Sequence, residues 1–138
     1  MNYTLSILKP DCIERKLTGE AIDFILKKGF EIKAIKMVKL TKQQAEDFYS
    51  VHKGKSFFPD LIRYMTSGPV IVMVLKKENA VEEFRKIIGA TDPNEAEEGT
   101  LRKKYGLDVR KNFAHGSDSV ENANKEIAFF FPLIEIMV

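Results

Sequence analysis

The chain predicts an α/β (α+β) sandwich, a ferredoxin-like arrangement in which a four-stranded, mainly antiparallel sheet is covered by helices. Three observations carry that prediction. Apolar runs with β-branched and aromatic residues recur near residues 2–8, 30–40, 70–75 and just after Asn112. Stripes with helical spacing lie between and after them, giving the order β-α-β-α-α-β-α-β-α. The length, 138 residues, suits a single domain over residues 1–138, large enough to bury a core without metal or disulfide support.

Residues 2–8 alternate into an apolar end and read as a buried strand. Lys9-Pro10 stops it, because proline has no N–H for the ladder and holds the preceding residue extended. Lys9 there either points into a site or is simply solvated. Thr18 is placed to cap a helix with Ala21, Ile22, Ile25 and Leu26 on one face, closed by Gly29. From Phe30 the alternation holds through Ala34 and slips over residues 35–38, which predicts a bulge or a change of exposure. Thr41 and Gln44 have capping-box spacing and open a helix bearing Ala45, Phe48 and Tyr49. His52, beside Lys53-Gly54-Lys55, reads as an exposed or capping residue.

Phe57 and Phe58 precede a stripe of Leu61, Ile62 and Met65. Each ring is core or a stacking platform, and adjacent residues at a helix start point in different directions, so both cannot be buried alike. Residues 70–75 are almost wholly apolar, as in a central strand covered on one face and partly on the other. Asn79 and Glu82 have the spacing of a capping pair for a helix with Val81, Phe84, Ile87 and Ile88, leaving Arg85 off the stripe. After Gly89 a polar connection over residues 90–98 is long enough to be functional, and Gly99-Thr100-Leu101-Arg102 starts a short helix or turn. The last strand follows Asn112, and a helix runs over about residues 119–126. Phe129-Phe130-Phe131 must dock on the body or on another subunit.

The 22 basic and 20 acidic residues leave a formal charge of +2, which gives no general nucleic-acid or membrane surface; any basic site is local. No apolar run reaches membrane-spanning length, no signal-peptide pattern opens the chain, and the single Cys12 has no intramolecular disulfide partner, so a cytoplasmic setting is expected. Neither glycine-rich phosphate-cradling motif is present. Phosphate would have to be held by side chains, and Lys9, Arg85, Thr91 and Arg102 supply three positive charges and a hydroxyl. Two histidines and one cysteine without ligand spacing argue against a protein-held metal. His115, in a Gly-Ser turn where a strand stops, offers a nitrogen nucleophile or merely a polar strand end, and Gly116 removes bulk so that a ligand can approach.

Taken together, Lys9-Pro10-Asp11, Phe57-Phe58, Ser67-Gly68-Pro69-Val70, Gly89-Ala90-Thr91-Asp92-Pro93, Gly99-Thr100-Leu101-Arg102 and Asn112-Phe-Ala-His-Gly-Ser-Asp-Ser119 closely resemble the nucleoside diphosphate kinase family along nearly the whole chain. The resemblance implies transfer of the γ-phosphate of a nucleoside triphosphate to a nucleoside diphosphate by a ping-pong route, with His115 carrying the phosphate. It further implies that Lys9 contacts the sugar hydroxyl and the moving phosphate, that Arg85, Thr91 and Arg102 hold the other phosphates, and that Asn112 binds the sugar. Phe57 would stack on the base, which tolerates every base because each has a π face. Tyr49, Ser117 and Glu126 match supporting positions, with Glu126 orienting His115. Magnesium would come with the nucleotide phosphates rather than on protein ligands. The partners implied are nucleoside tri- and diphosphates and further copies of the chain, as a tetramer or hexamer, with no membrane and no obligatory nucleic acid.

The chain departs from the family pattern at Ser56, Glu98 and Lys103-Lys104, where proline, proline and Gly-Asp are usual. The last change moves the local charge by about +3, softened by screening at an exposed site, and bears on loop rigidity and subunit packing. Without the family pattern, the same residues also suit a nucleotide- or single-strand-binding module without turnover, or a histidine phosphocarrier.

Overall fold

The computed structural model describes residues 2–138. Strand β1 (Tyr3–Leu8) leads into α1 (Pro10–Glu14) and α2 (Thr18–Lys27). Then come β2 (Glu31–Val38), α3 (Lys42–Phe48), α4 (Phe58–Met65), β3 (Val70–Lys76) and α5 (Ala80–Ile88). The chain closes with α6 (Leu101–Tyr105), β4 (Ala114–Gly116) and α7 (Val120–Phe130). The sheet order is β2-β3-β1-β4 with every neighbouring pair antiparallel, so the expected ferredoxin-like, helix-covered sheet is the fold.

Both faces of the sheet are buried, and the second face more fully than the sequence suggested. Strand residues alternate by side. Leu5, Ile7, Val70, Val72 and Val74 face α3, α4 and the end of α7. Leu8, Ile71, Met73 and Leu75 face a second layer built from Cys12, Ala21, Ile25, Phe84, Ile88 and Leu101. Helix α1, unforeseen because Lys-Pro-Asp reads as a strand stop, begins with Pro10 in its first turn, where a missing N–H costs nothing. It closes this second layer.

Local details differ instructively from the sequence reading. The capping box at Thr41 and Gln44 forms as expected. Thr18, by contrast, lies inside α2, whose cap position is Leu17 with no side-chain bond. Asn79 enters α5 in the left-handed region, φ 54°, and makes no cap bond. Asparagine tolerates that conformation, so its backbone, not its side chain, turns the chain into the helix. The irregularity in β2 falls between Ile32 and Ala34, earlier than the pattern slip, and the carbonyl of Lys33 is taken by the N–H of Met137. The slip itself marks exposure: Ile35 and Met37 stand about half in solvent. Of the terminal aromatics, Phe130 and Phe131 dock on the body and Phe129 remains exposed.

Candidate active site

Strand β4 is only three residues long, yet it is tied down on every side. His115 sits opposite Ile7 in the β1 ladder, and the N–H of Lys9 donates to the carbonyl of Phe113 at 2.9 Å. Just before the strand, Ala114 N–H donates back to Asn112 O at 3.0 Å across Phe113, whose φ is +81°. A bulky residue at positive φ stores of order 1–3 kcal/mol. The fully buried Phe113 ring, stacked on Tyr105 at 5.0 Å, offsets that strain. The tight turn sends Asn112 and His115 into one cleft of about 750 Å³.

His115 is held from behind. Its Nε2 lies 2.9 Å from Glu126 Oε1, on α7, and the Ser117 hydroxyl donates to the same oxygen at 2.7 Å while accepting the N–H of Leu5. A carboxylate oxygen accepts this bond, which assigns the ring proton of the neutral imidazole to Nε2 and leaves the lone pair on Nδ1. Ser117 is fully buried behind the cleft; the other residues named from the sequence line it. Tyr49 is buried in the wall with no partner for its hydroxyl among the described residues, and burial, then Glu126, push that phenol's pKa up.

Opposite the histidine the cleft is cationic. Lys9 and Asn112 are 8% and 2% exposed, and Lys9 Nζ donates to Asn112 Oδ1 at 2.7 Å. Asn112 spends its amide on the carbonyls of Thr91 and Val109, which sets which end faces the lysine. Burial, then Arg102, lower the Lys9 ammonium to about 7, with Asp11 pulling the other way and Arg110 adding to the drop. Arg102, 7% exposed, donates from three nitrogens to the carbonyls of Gly89, Asn112 and Ala114, tying the start of the 90–98 connection to the turn before β4. Burial, then Arg85, lower its pKa to about 10. Arg85 stands on exposed ground at the cleft, its nearest partner the Gly116 carbonyl at 3.5 Å, and Thr91 lies at the exposed edge.

The rim belongs to Phe57. Phe58 is buried in the core and Phe57 is half-buried in the cleft wall, resolving the aromatic pair as adjacent directions require. Two residues that the sequence reading did not place here flank it. Arg110 sits 5.0 Å over its ring, and His52, read as an exposed or capping residue, packs against it at 5.3 Å and stacks near Tyr49 at 6.3 Å. Burial, then Lys55 and Arg110, lower the His52 pKa. Only the four-residue step from Phe48 to His52 hinted that this ring shares a side with the cleft.

Gly116 serves a different purpose from the clearance expected of it. A Cβ there would lie 2.7 Å from Phe84 Cδ2 and 3.1 Å from Ile88 Cδ1, in the core on the far side of the strand. Alternation explains it: His115 faces the cleft and its neighbour faces α5. Glycine is required by helix packing.

No three His, Cys, Asp or Glu side chains among the described residues gather as a metal cage. The donor set of the cleft suits an anion, with Lys9, Arg85, Arg102 and Arg110 outnumbering its free carboxylates.

A family model described as nucleoside diphosphate kinase matches residues 2–136. The chain belongs to the nucleoside diphosphate kinase family. Relatives bearing that description include one from Histophilus somni (strain 129Pt), 52% identical over 99% of this chain and 96% of its own length. Another, from Persephonella marina, is 52% identical over 97% and 96%. The solved nucleoside diphosphate kinase of Aquifex aeolicus superposes with a TM-score of 0.95 at 43% identity, covering 97% of each chain. A halophilic nucleoside diphosphate kinase from Halobacterium salinarum, solved in complex with CDP, also gives 0.95, at 35% identity over 99% of this chain and 91% of that one. The chain is accordingly a nucleotide-binding phosphotransferase, a nucleoside diphosphate kinase in activity.

Proposed function

We propose that His115 Nδ1 carries the phosphate in a two-step exchange. In the first step Nδ1 forms a bond to the γ-phosphorus of a nucleoside triphosphate as the bond from that phosphorus to the β–γ bridging oxygen breaks, and the diphosphate leaves. In the second, a terminal oxygen of another diphosphate takes the phosphoryl group and the Nδ1–P bond breaks. The observation that carries this reading is the hydrogen bond from Nε2 to Glu126, which leaves Nδ1 as the nucleophilic nitrogen in a cationic cleft. Such transfers need positioning and charge neutralisation above all.

Lys9 and Arg102 sit deep enough to meet the phosphates and Arg85 and Thr91 stand at the edge, while Asn112 presents its carbonyl oxygen beside Lys9 for the sugar. Phosphate binding restores the charge on Lys9 that burial opposes. Phe57 offers one face to any base, the basis for broad nucleotide use. Glu126, Ser117 and Tyr49 position the histidine. The cleft's own donors suit an anion, so magnesium would arrive on the nucleotide phosphates and would supply charge neutralisation there.

One catalytic domain over residues 1–138 accounts for all these roles. No helix among the described residues is long and apolar enough to cross a membrane, and the sole cysteine is buried and free, which supports a cytoplasmic setting. Exposed Ile35 and Met37 on the edge strand β2, and exposed Leu133 and Ile134 in the chain's tail, support a homo-oligomer, and a light-scattering mass decides between four and six copies.

The test is incubation with γ-labelled ATP. The protein should acquire an acid-labile, base-stable label that GDP or CDP discharges. Normal exchange by His115→Ala protein would sink the mechanism.

A further inference from the structure

Phe48, at the end of α3, meets the His115 ring with centroids 5.6 Å apart and planes at 73°. The same ring touches three others: Tyr49 at 4.9 Å, Phe130 at 5.1 Å and Phe129 at 5.4 Å. Phe129 and Phe130 lie on α7, the helix that carries Glu126. His115 is therefore restrained at two points by one helix-helix contact, at Nε2 through the carboxylate and at the ring through Phe48.

A single hydrogen bond fixes one atom of an imidazole and leaves its plane free to tilt. A half-turn about the Cβ–Cγ bond would replace Nε2 by a carbon and break the bond to Glu126. A second, packed contact is what opposes both movements, and an edge-on aromatic neighbour supplies it without competing for either nitrogen. Phe48 also lines the cleft beside the His115–Glu126 pair.

We infer that Phe48 is a positioning residue that holds the His115 ring in the single orientation and tautomer with Nε2 on Glu126 and Nδ1 toward the reacting phosphorus. The inference rests on the phosphohistidine reading above and adds to it the device that aims the nucleophile. Misalignment of a nucleophile by about 1 Å costs up to about 100-fold in rate.

The experiment compares wild type with Phe48→Leu, which keeps apolar bulk but loses the ring edge, and Phe48→Ala. Single-turnover labelling of His115 by γ-labelled ATP should slow about 10- to 100-fold with KM for ATP within about threefold of wild type. Independently, the ring-nitrogen ¹⁵N shifts of His115 in the unliganded protein should change from one Nε2–H tautomer to values averaged over both. Labelling rates within about twofold of wild type in folded Phe48→Leu protein, or a loss confined to KM, would overturn the inference. So would unchanged ¹⁵N shifts. Should Phe48→Ala not fold, Phe48→Leu carries both measurements. Absence of label in the wild type would overturn the phosphohistidine reading instead, while the ¹⁵N comparison still decides the role of Phe48.

Discussion

The back wall of the cleft and its rim are built by different means. Lys9, Arg102 and Asn112 at the back are nearly sealed from solvent and joined to backbone carbonyls and to each other. Phe57, His52 and Arg110 at the rim are held by ring contacts of 5.0 and 5.3 Å. Hydrogen bonds from buried groups are directional and costly to break, whereas ring contacts tolerate sliding. The end proposed for phosphate is thus fixed in geometry, and the end proposed for the base is permissive.

The comparison breaks most visibly at Arg102. Arg102→Leu removes the donor to three carbonyls and should lower stability by at least about 3 kcal/mol in denaturant unfolding, taking activity with it. A drop no larger than that of an exposed lysine variant would show that the back wall is not the rigid part. Gly116→Ala tests the other side of the same strand. The new methyl must push Phe84, and a loss of about 1–3 kcal/mol is expected, with the stability loss exceeding any change in KM; a dominant KM effect would return this glycine to the role of ligand clearance.

Lys9 sharpens the contrast through pH. Its folded pKa, about 7, lies below the ordinary 10.5, so between those values the unfolded chain binds a proton that the folded one does not. This residue therefore makes stability rise with pH from about 7 to about 10.5, with a slope of up to about 1.4 kcal/mol per unit, and its full penalty is present below 7. Melting curves of Lys9→Gln against wild type across pH 7–10 should differ by that slope; parallel curves would mean that Lys9 is solvated after all. The smallest effect on stability is expected at the rim. Phe57→Ala should cost under about 1 kcal/mol of folding, yet raise KM for adenine, guanine and cytosine nucleotides alike, by the roughly 1–3 kcal/mol of a lost stacking contact. A loss confined to one base would contradict the permissive rim.

Much of this was legible in order along the chain. The four strands, the Thr41 capping box and the Phe57/Phe58 division follow from periodicity and local sterics, which act over a few residues. His52 and Arg110 were not legible as cleft residues, because their meeting on Phe57 depends on where two loops end in space. Helix α1 was hidden by a proline that ends one element and begins the next. Asn79 had the chemistry of a cap, and its left-handed backbone did the turning instead.

By itself, then, the sequence determined the four strands and the helices other than α1, since hydrophobic period and turn chemistry are local, and it carried the ordered motif that marks the family. Only the tertiary structure decided what individual residues bond to or pack against. Arg102 became a tie between backbone segments, Gly116 a packing requirement against Phe84, and the His115 tautomer a consequence of Glu126 on another helix. Those assignments depend on groups far apart in the chain brought within 3 or 4 Å, and no local pattern records such distances.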